Sequence, residues 1–402
     1  MRITTVMRFL WSTPVVAVMA VLIVTGAYFM SHPRMSFAEA STIGKGAETF
    51  DILSDRFAEL AKEKGGLYAF QVLKIAELPP NTDTHLLGHA IGDVFYTQKG
   101  VAGIADCTQD FRNACSHTIV IGALNEFGSG DATLKMIDDA CKKAPGGVGA
   151  YTMCYHGLGH GVFAYFGYDM QKTVAYCKKM GTPEYNDQQF TQCVGGMIME
   201  LMSGGGHDHE AWVRAQNKYL LKDQPLAPCD SSLIPEAAKG YCYMYISPRL
   251  FEAAGSEIAH PNPATFPKAF TYCDAIPLTS SRSRDACFGG FGREFVGLAA
   301  ERDIRAIDQL DDNVYARAAQ WCDLAIPRDG KESCLRQEVE SVFWGGENDP
   351  QASFRFCAVT PASLTEACLG NLANNIEHYL RGEARTTWCN KLPVQYRGQC
   401  TS

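Results

Sequence analysis

Beyond residue 80, apolar residues recur at mixed three- and four-residue spacings. Ile119, Ile121 and Leu124 lie in one stretch, Val162, Phe163 and Phe166 in another, and Leu335, Val339, Val342 and Phe343 further on. That is the period of amphipathic helices, and strand-like alternation over comparable lengths is scarce. Breaker-rich, polar segments such as 142–149, 181–189 and 277–284 separate these runs and read as loops. The pattern predicts an all-α protein.

The cysteines divide it into repeats. All 16 fall into successive pairs: Cys107/Cys115, Cys141/Cys154, Cys177/Cys193, Cys229/Cys242, Cys273/Cys287, Cys322/Cys334, Cys357/Cys368 and Cys389/Cys400. The first member tends to close an amphipathic run, often after an aromatic residue (Tyr176, Tyr272, Trp321, Phe356, Trp388), and the second opens a new one. Units of about 32 to 52 residues follow, each with one helix starting at a second cysteine and another ending at the next first cysteine. Stacked hairpins of this kind form an α-solenoid, with each loop stapled by a local disulfide. The tight Cys-X2-Cys pairs of zinc sites are absent, which favours disulfides over thiolate ligation.

Disulfides imply an oxidising compartment, and the amino terminus points the same way. Arg2 and Arg8 precede an apolar stretch from Pro14 to Met30, extended backwards by Phe9, Leu10 and Trp11. About 20 apolar residues suffice to span a bilayer, whereas the apolar region of a cleavable signal is shorter. The expected organisation is a cytoplasmic tip and transmembrane signal-anchor (1–40), a juxtamembrane helical segment (41–80) and a Cys-rich helical-repeat domain (81–402). Cleavage after Ala38-Glu39-Ala40 is the alternative. With the arginines inside, the repeat domain faces outward. The sequence contains no Asn-X-Ser/Thr acceptor, which favours a bacterial inner membrane with the domain in the periplasm. The N-terminal helix makes the membrane one partner.

Composition narrows the remaining partners. At 46% hydrophobic and 20% charged the chain can build a sizeable core, and its net charge of −8 without long basic runs excludes an electrostatic footprint for nucleic acid.

Five of the 10 histidines occupy repeat-equivalent positions. Counting from the second cysteine, His117 stands at plus two from Cys115, and His156 and His160 stand at plus two and plus six from Cys154. In the preceding unit His85-Leu86-Leu87-Gly88-His89 superimposes on His156-Gly157-Leu158-Gly159-His160, with Asp83 in the cysteine's place. Side chains four apart share a helix face, so His85/His89 and His156/His160 each suit one metal ion, with His117 able to join either pair. Neutral imidazole ligates Fe, Cu or Zn, and the expected cofactor is such a transition metal ion. One site shared by all three units requires strong superhelical curvature, because packed helices stand about 8–10 Å apart. Histidines that only hydrogen-bond loop carbonyls are the plainer reading.

Three glycines in Cys154-Tyr155-His156-Gly157-Leu158-Gly159-His160-Gly161 violate helix propensity and mark close backbone approach or a functional site. In the next unit Met199 stands at plus six and Glu200 at plus seven, near the face of His160, which makes Glu200 the candidate catalytic carboxylate, as ligand or as base on metal-bound water. Arg293-Glu294 hold the equivalent slots later in the chain and read as an ion pair. The common serine-hydrolase, nucleotide-binding, zincin and c-type haem signatures are missing. These features predict a membrane-anchored helical-repeat protein with a His-rich metal centre, redox or hydrolytic. The alternatives are an envelope scaffold that binds a protein partner on the solenoid surface, or a metal store or carrier.

Overall fold

The computed structural model describes residues 37–400 apart from 109, 146, 205–207, 259 and 346–349. The predicted span 14–30 lies outside the described residues, and among those described no helix is long and apolar enough to cross a membrane. Nineteen α-helices and no strand occur among the described residues. In chain order they are α1 (Phe50–Lys64), α2 (Gly66–Ile75), α3 (Thr84–Lys99), α4 (Asp110–Phe127), α5 (Asp131–Cys141), α6 (Gly147–Tyr165), α7 (Met170–Cys177), α8 (Gln188–Ser203), α9 (His209–Tyr219) and α10 (Glu236–Tyr245). They continue as α11 (Ser247–Ala254), α12 (Phe266–Asp274), α13 (Ser281–Ala299), α14 (Asp312–Cys322), α15 (Arg328–Gly345), α16 (Pro350–Val359), α17 (Thr365–Tyr379), α18 (Gly382–Lys391) and α19 (Val394–Cys400).

The expected staples are present. Eight disulfides join the cysteines in the order read from the sequence, and no cysteine is free. Their Cα–Cα distances of 5.5 to 5.8 Å suit the bond. One expectation is corrected: the second cysteine does not start its helix. Helices α6, α8, α10, α13, α15, α17 and α19 each begin upstream of it, so parts of the predicted loops 142–149, 181–189 and 277–284 are helical, whereas in α4 the left-handed residues 111–113 leave only Ala114 of regular helix ahead of Cys115. Pro235, Pro327 and Pro393 immediately precede α10, α15 and α19, and proline at a helix entrance sets the true starts. Cys154, Cys193, Cys287, Cys334 and Cys368 therefore sit inside their helices with the plus-two and plus-six positions helical, whereas Cys242 lies in the last turn of α10 and Cys400 ends α19.

In the first unit Asp83 does the cysteine's work by other means. Its carboxylate accepts the amide of Leu86 at 3.1 Å as an N-cap for α3. It also pairs with Arg302 at 2.7 Å.

The repeat has a single core register. At plus four from the second cysteine (or from Asp83) stand Leu87, Ile119, Leu158, Met197, Ile246, Phe291, Glu338 and Leu372, all at 0% exposure. One of these eight is a glutamate. Neighbouring inner helices meet closely where glycine lies beside this register. A Cβ on Gly159 would stand 2.0 Å from the Cys193 carbonyl oxygen, and one on Gly196 would stand 1.8 Å from that of His156. The glycine cluster thus brings the backbones of α6 and α8 together, as its break with helix propensity implied.

Curvature is the feature that positions the site. Helices α3, α4, α6, α8, α10 and α13 pack each on the next as an inner layer, with shorter elements outside. This layer curls until the segment after α13 meets the start of the repeats. The amide of Asn81 donates to the Glu301 carbonyl at 3.0 Å, and Arg305 donates to the carbonyls of Leu73 and Ala76 at 3.0 and 2.6 Å. Together with Arg302–Asp83 these bonds join residues more than two hundred positions apart and close the turn. Helices α15, α17 and α19 continue the stack beyond the seam. Within 41–80, α1 and α2 pack on α3, with Phe57, Leu60, Phe70, Val72 and Leu73 buried and Leu67 and Ile75 exposed.

Candidate metal centre

Closing the turn points the plus-two and plus-six positions of successive units at one another. All five histidines predicted as ligands meet. Ring centroids stand 4.5 Å apart for His85–His89 and 5.1 Å for His156–His160. His117 lies between the pairs, 5.6 Å from His85, 5.8 Å from His89, 5.4 Å from His156 and 5.6 Å from His160. His89 and His160 close the group at 6.0 Å. The curvature that a shared site demanded is therefore present.

One donor atom from each of His85, His89 and His117 lies within 4.8 Å of the others, so these three could hold a metal ion. Their surroundings prepare the lone pairs. His85 Nδ1 stands 2.6 Å from the Phe111 carbonyl, an acceptor only, so Nδ1 carries the proton and Nε2 keeps its lone pair. His160 Nδ1 stands 3.1 Å from Glu200 Oε2, which fixes the same tautomer when the carboxylate is ionised. This is the carboxylate–histidine relation found behind metal ligands. Nε2 of His85, Nε2 of His160 and both nitrogens of His117 are buried without a hydrogen-bond partner. Buried polar atoms without partners are uncommon, and four in one cluster call for a ligand.

Burial also keeps the rings of His85, His117 and His156 neutral. It pushes the His85 imidazolium down to about 3, against a carbonyl bond that favours the charge and with Arg112 and Arg293 repelling it. His117 and His156 are pushed well below the ordinary histidine range, chiefly by burial and then by neighbouring imidazoles. Neutral imidazole is the ligating form.

Glu200 stands behind His160, and its other oxygen accepts from the Tyr168 hydroxyl at 3.3 Å. Met199 Sδ lies 3.4 Å from His156 Nε2. Arg293 and Glu294 do form the expected ion pair, and that pair lies in the wall of the centre. The Arg293 guanidinium lies 4.6 Å over the Tyr245 ring, which is 4.8 Å from His156. Arg112 Nη1 reaches within 4.0 Å of Glu294.

Sequence reasoning missed Arg112, Tyr168 and Tyr245. Arg112 belongs to three consecutive left-handed residues, Phe111, Arg112 and Asn113, with φ of 53°, 55° and 64°. Such conformations cost about 1–3 kcal/mol each for non-glycine residues. Here they aim the Phe111 carbonyl at His85 and carry Arg112 to the centre. No residue pattern signals this bend. Tyr245 stands at plus three, a slot held elsewhere by Thr118, Gly157 and Gly196, so the repeat register gave no reason to select it.

Comparison of the chain with known protein families, with curated proteins and with solved structures finds no match.

Proposed function

We propose that this chain is an extracytoplasmic metalloenzyme of the bacterial envelope, held by its N-terminal apolar segment, which binds Fe, Cu or Zn through its histidine cluster. The observation that carries the reading is the buried His85/His89/His117 triad, with its donor atoms within 4.8 Å of one another. Eight disulfides agree with an oxidising compartment.

The wall of the centre suggests what the metal acts on. A divalent ion among neutral imidazoles, with Arg112 and Arg293 beside it, outweighs Glu200 and Glu294 by two positive charges. Buried excess charge is unfavourable, so the site favours an anionic partner such as a carboxylate. A metal store has no use for two guanidinium groups that repel its cargo. The reaction is redox or metal-assisted hydrolysis of a small anion, with Arg112 and Arg293 orienting it. Glu200 acts through His160 as a positioning residue.

The test is elemental analysis of the full-length, disulfide-intact protein after exposure to Fe, Cu and Zn in turn. The wild type retains metal, and His85→Ala/His89→Ala loses the ion that the triad holds. A folded wild type that retains none of the three ions removes the proposal. Glu200→Gln provides a finer check, because loss of a partner behind a ligating histidine typically weakens metal affinity about 10–100-fold. Unchanged affinity, with helical content intact, would show that Glu200 does not act on the metal through His160.

A further inference from the structure

His117 differs from the other histidines of the cluster. His85 gives one ring nitrogen to a carbonyl and His160 gives one to a carboxylate, and each retains one nitrogen for the centre. His117 retains both: Nδ1 and Nε2 are buried and neither has a hydrogen-bond partner. Its ring also belongs to two closed triangles. One is His85/His89/His117, with centroid distances of 4.5, 5.6 and 5.8 Å. The other is His117/His156/His160, with distances of 5.4, 5.6 and 5.1 Å. A neutral imidazole has one N–H and one lone pair, so a single ion bound at the first triangle would leave an N–H of His117 buried without an acceptor.

We infer that the centre is dinuclear: the imidazole of His117 bridges an ion held by His85 and His89 to a second ion held by His156 and His160. This inference rests on the metal-centre reading above. As the second ion binds, the remaining N–H bond of His117 breaks, its proton leaves to solvent and its electron pair becomes the new metal–nitrogen bond. The ring is then an imidazolate, whose negative charge lies between the two cations and offsets part of their repulsion.

The positions are chemically unequal. The second has the Met199 sulfur beside His156, and its His160 is hydrogen-bonded to Glu200, whereas His85 of the first is bonded to a main-chain carbonyl. A thioether near the ligands favours a softer ion, and copper is the probe that both positions accept.

The experiment strips the full-length, disulfide-intact protein with a chelator, equilibrates it with excess Cu(II), removes unbound copper and counts copper per chain. Electron paramagnetic resonance then reads the coupling between the ions. The expected result is two coppers per chain, exchange-coupled through the bridge, with one proton released from His117 as the second binds. His156→Ala/His160→Ala retains one copper with an isolated signal, and His117→Ala loses the coupling. One copper per wild-type chain would overturn the bridged pair while leaving the metal centre standing. Two uncoupled coppers would overturn the bridge. No copper, with Fe and Zn also refused, would remove both this inference and the reading on which it rests. The wild-type count and coupling decide the matter even if His117→Ala does not fold.

Discussion

Replacing Glu338 by leucine stabilises the folded protein at pH 7 by about 2–5 kcal/mol, measured by urea unfolding with the disulfides intact. Glu338 stands on α15 in the plus-four register, where the other described units place Leu, Ile, Met or Phe, and it is fully buried. Neither carboxyl oxygen has a hydrogen-bond partner. Burial alone holds the carboxyl well above the usual carboxylate range, so the folded protein keeps it protonated.

The pH dependence follows from that direction. Below about 4.5 the carboxyl is protonated in both the folded and unfolded states, and its titration costs no stability. Above that pH the unfolded chain ionises while the folded one does not, so the residue costs about 1.4 kcal/mol per pH unit until the folded group also ionises. The advantage of Glu338→Leu therefore grows as pH rises from about 4.5. Glu338→Gln removes the same pH-dependent part but keeps a buried polar group, and falls between wild type and the leucine variant. An advantage that stays flat across pH would show that the carboxyl is not held neutral.

Glu338 also illustrates what the sequence conceals. Helical periodicity in 335–343 was legible from Leu335, Val339, Val342 and Phe343, and a glutamate between them reads as the solvated face. Only the register shared by all units, anchored on the second cysteine, places position 338 in the core. The eight staples were legible because each cysteine pairs with its neighbour in the chain, and local pairing needs no knowledge of tertiary structure. The histidine group was legible for a related reason: repeat-equivalent positions point in equivalent directions. Whether five rings meet depends on superhelical curvature, which is set by the close passages at Gly159 and Gly196 and by the seam at Arg302 and Arg305. Those contacts join parts of the chain too distant for local pattern to reveal. Arg112 was hidden for another reason, since its direction comes from a left-handed bend that its neighbours do not encode. The cysteines do not mark the helix starts, because most staples lie inside their helices, and at α10, α15 and α19 a preceding proline sets the start instead.

Removing the metal is expected to loosen the closed turn while leaving each hairpin intact. A ligand present at a thousand times its dissociation constant stabilises the native state by about 4 kcal/mol, so chelation lowers resistance to urea by about that amount. The loss should not be spread evenly. The disulfides are local and hold each loop whether or not the superhelix is closed. The proposed ion, by contrast, joins α3 to α4 through His85, His89 and His117, and a second ion extends the link to α6. Three units are then fixed in the curvature that the seam requires. Without metal, the orphaned nitrogens of His85, His117 and His160 are left buried without partners, each at a cost of about 1–3 kcal/mol that opening the turn would relieve. Hydrogen exchange should then quicken at the Asn81 amide, which donates across the seam to Glu301. Amides in the turns of the stapled loops, such as Lys143 and Ala144, should stay as they were. In His85→Ala/His89→Ala the chelator should leave Asn81 unchanged, because the ion that ties α3 to α4 is no longer held. Uniform acceleration along the chain, or none at Asn81, would mean that the histidine centre does not brace the ring.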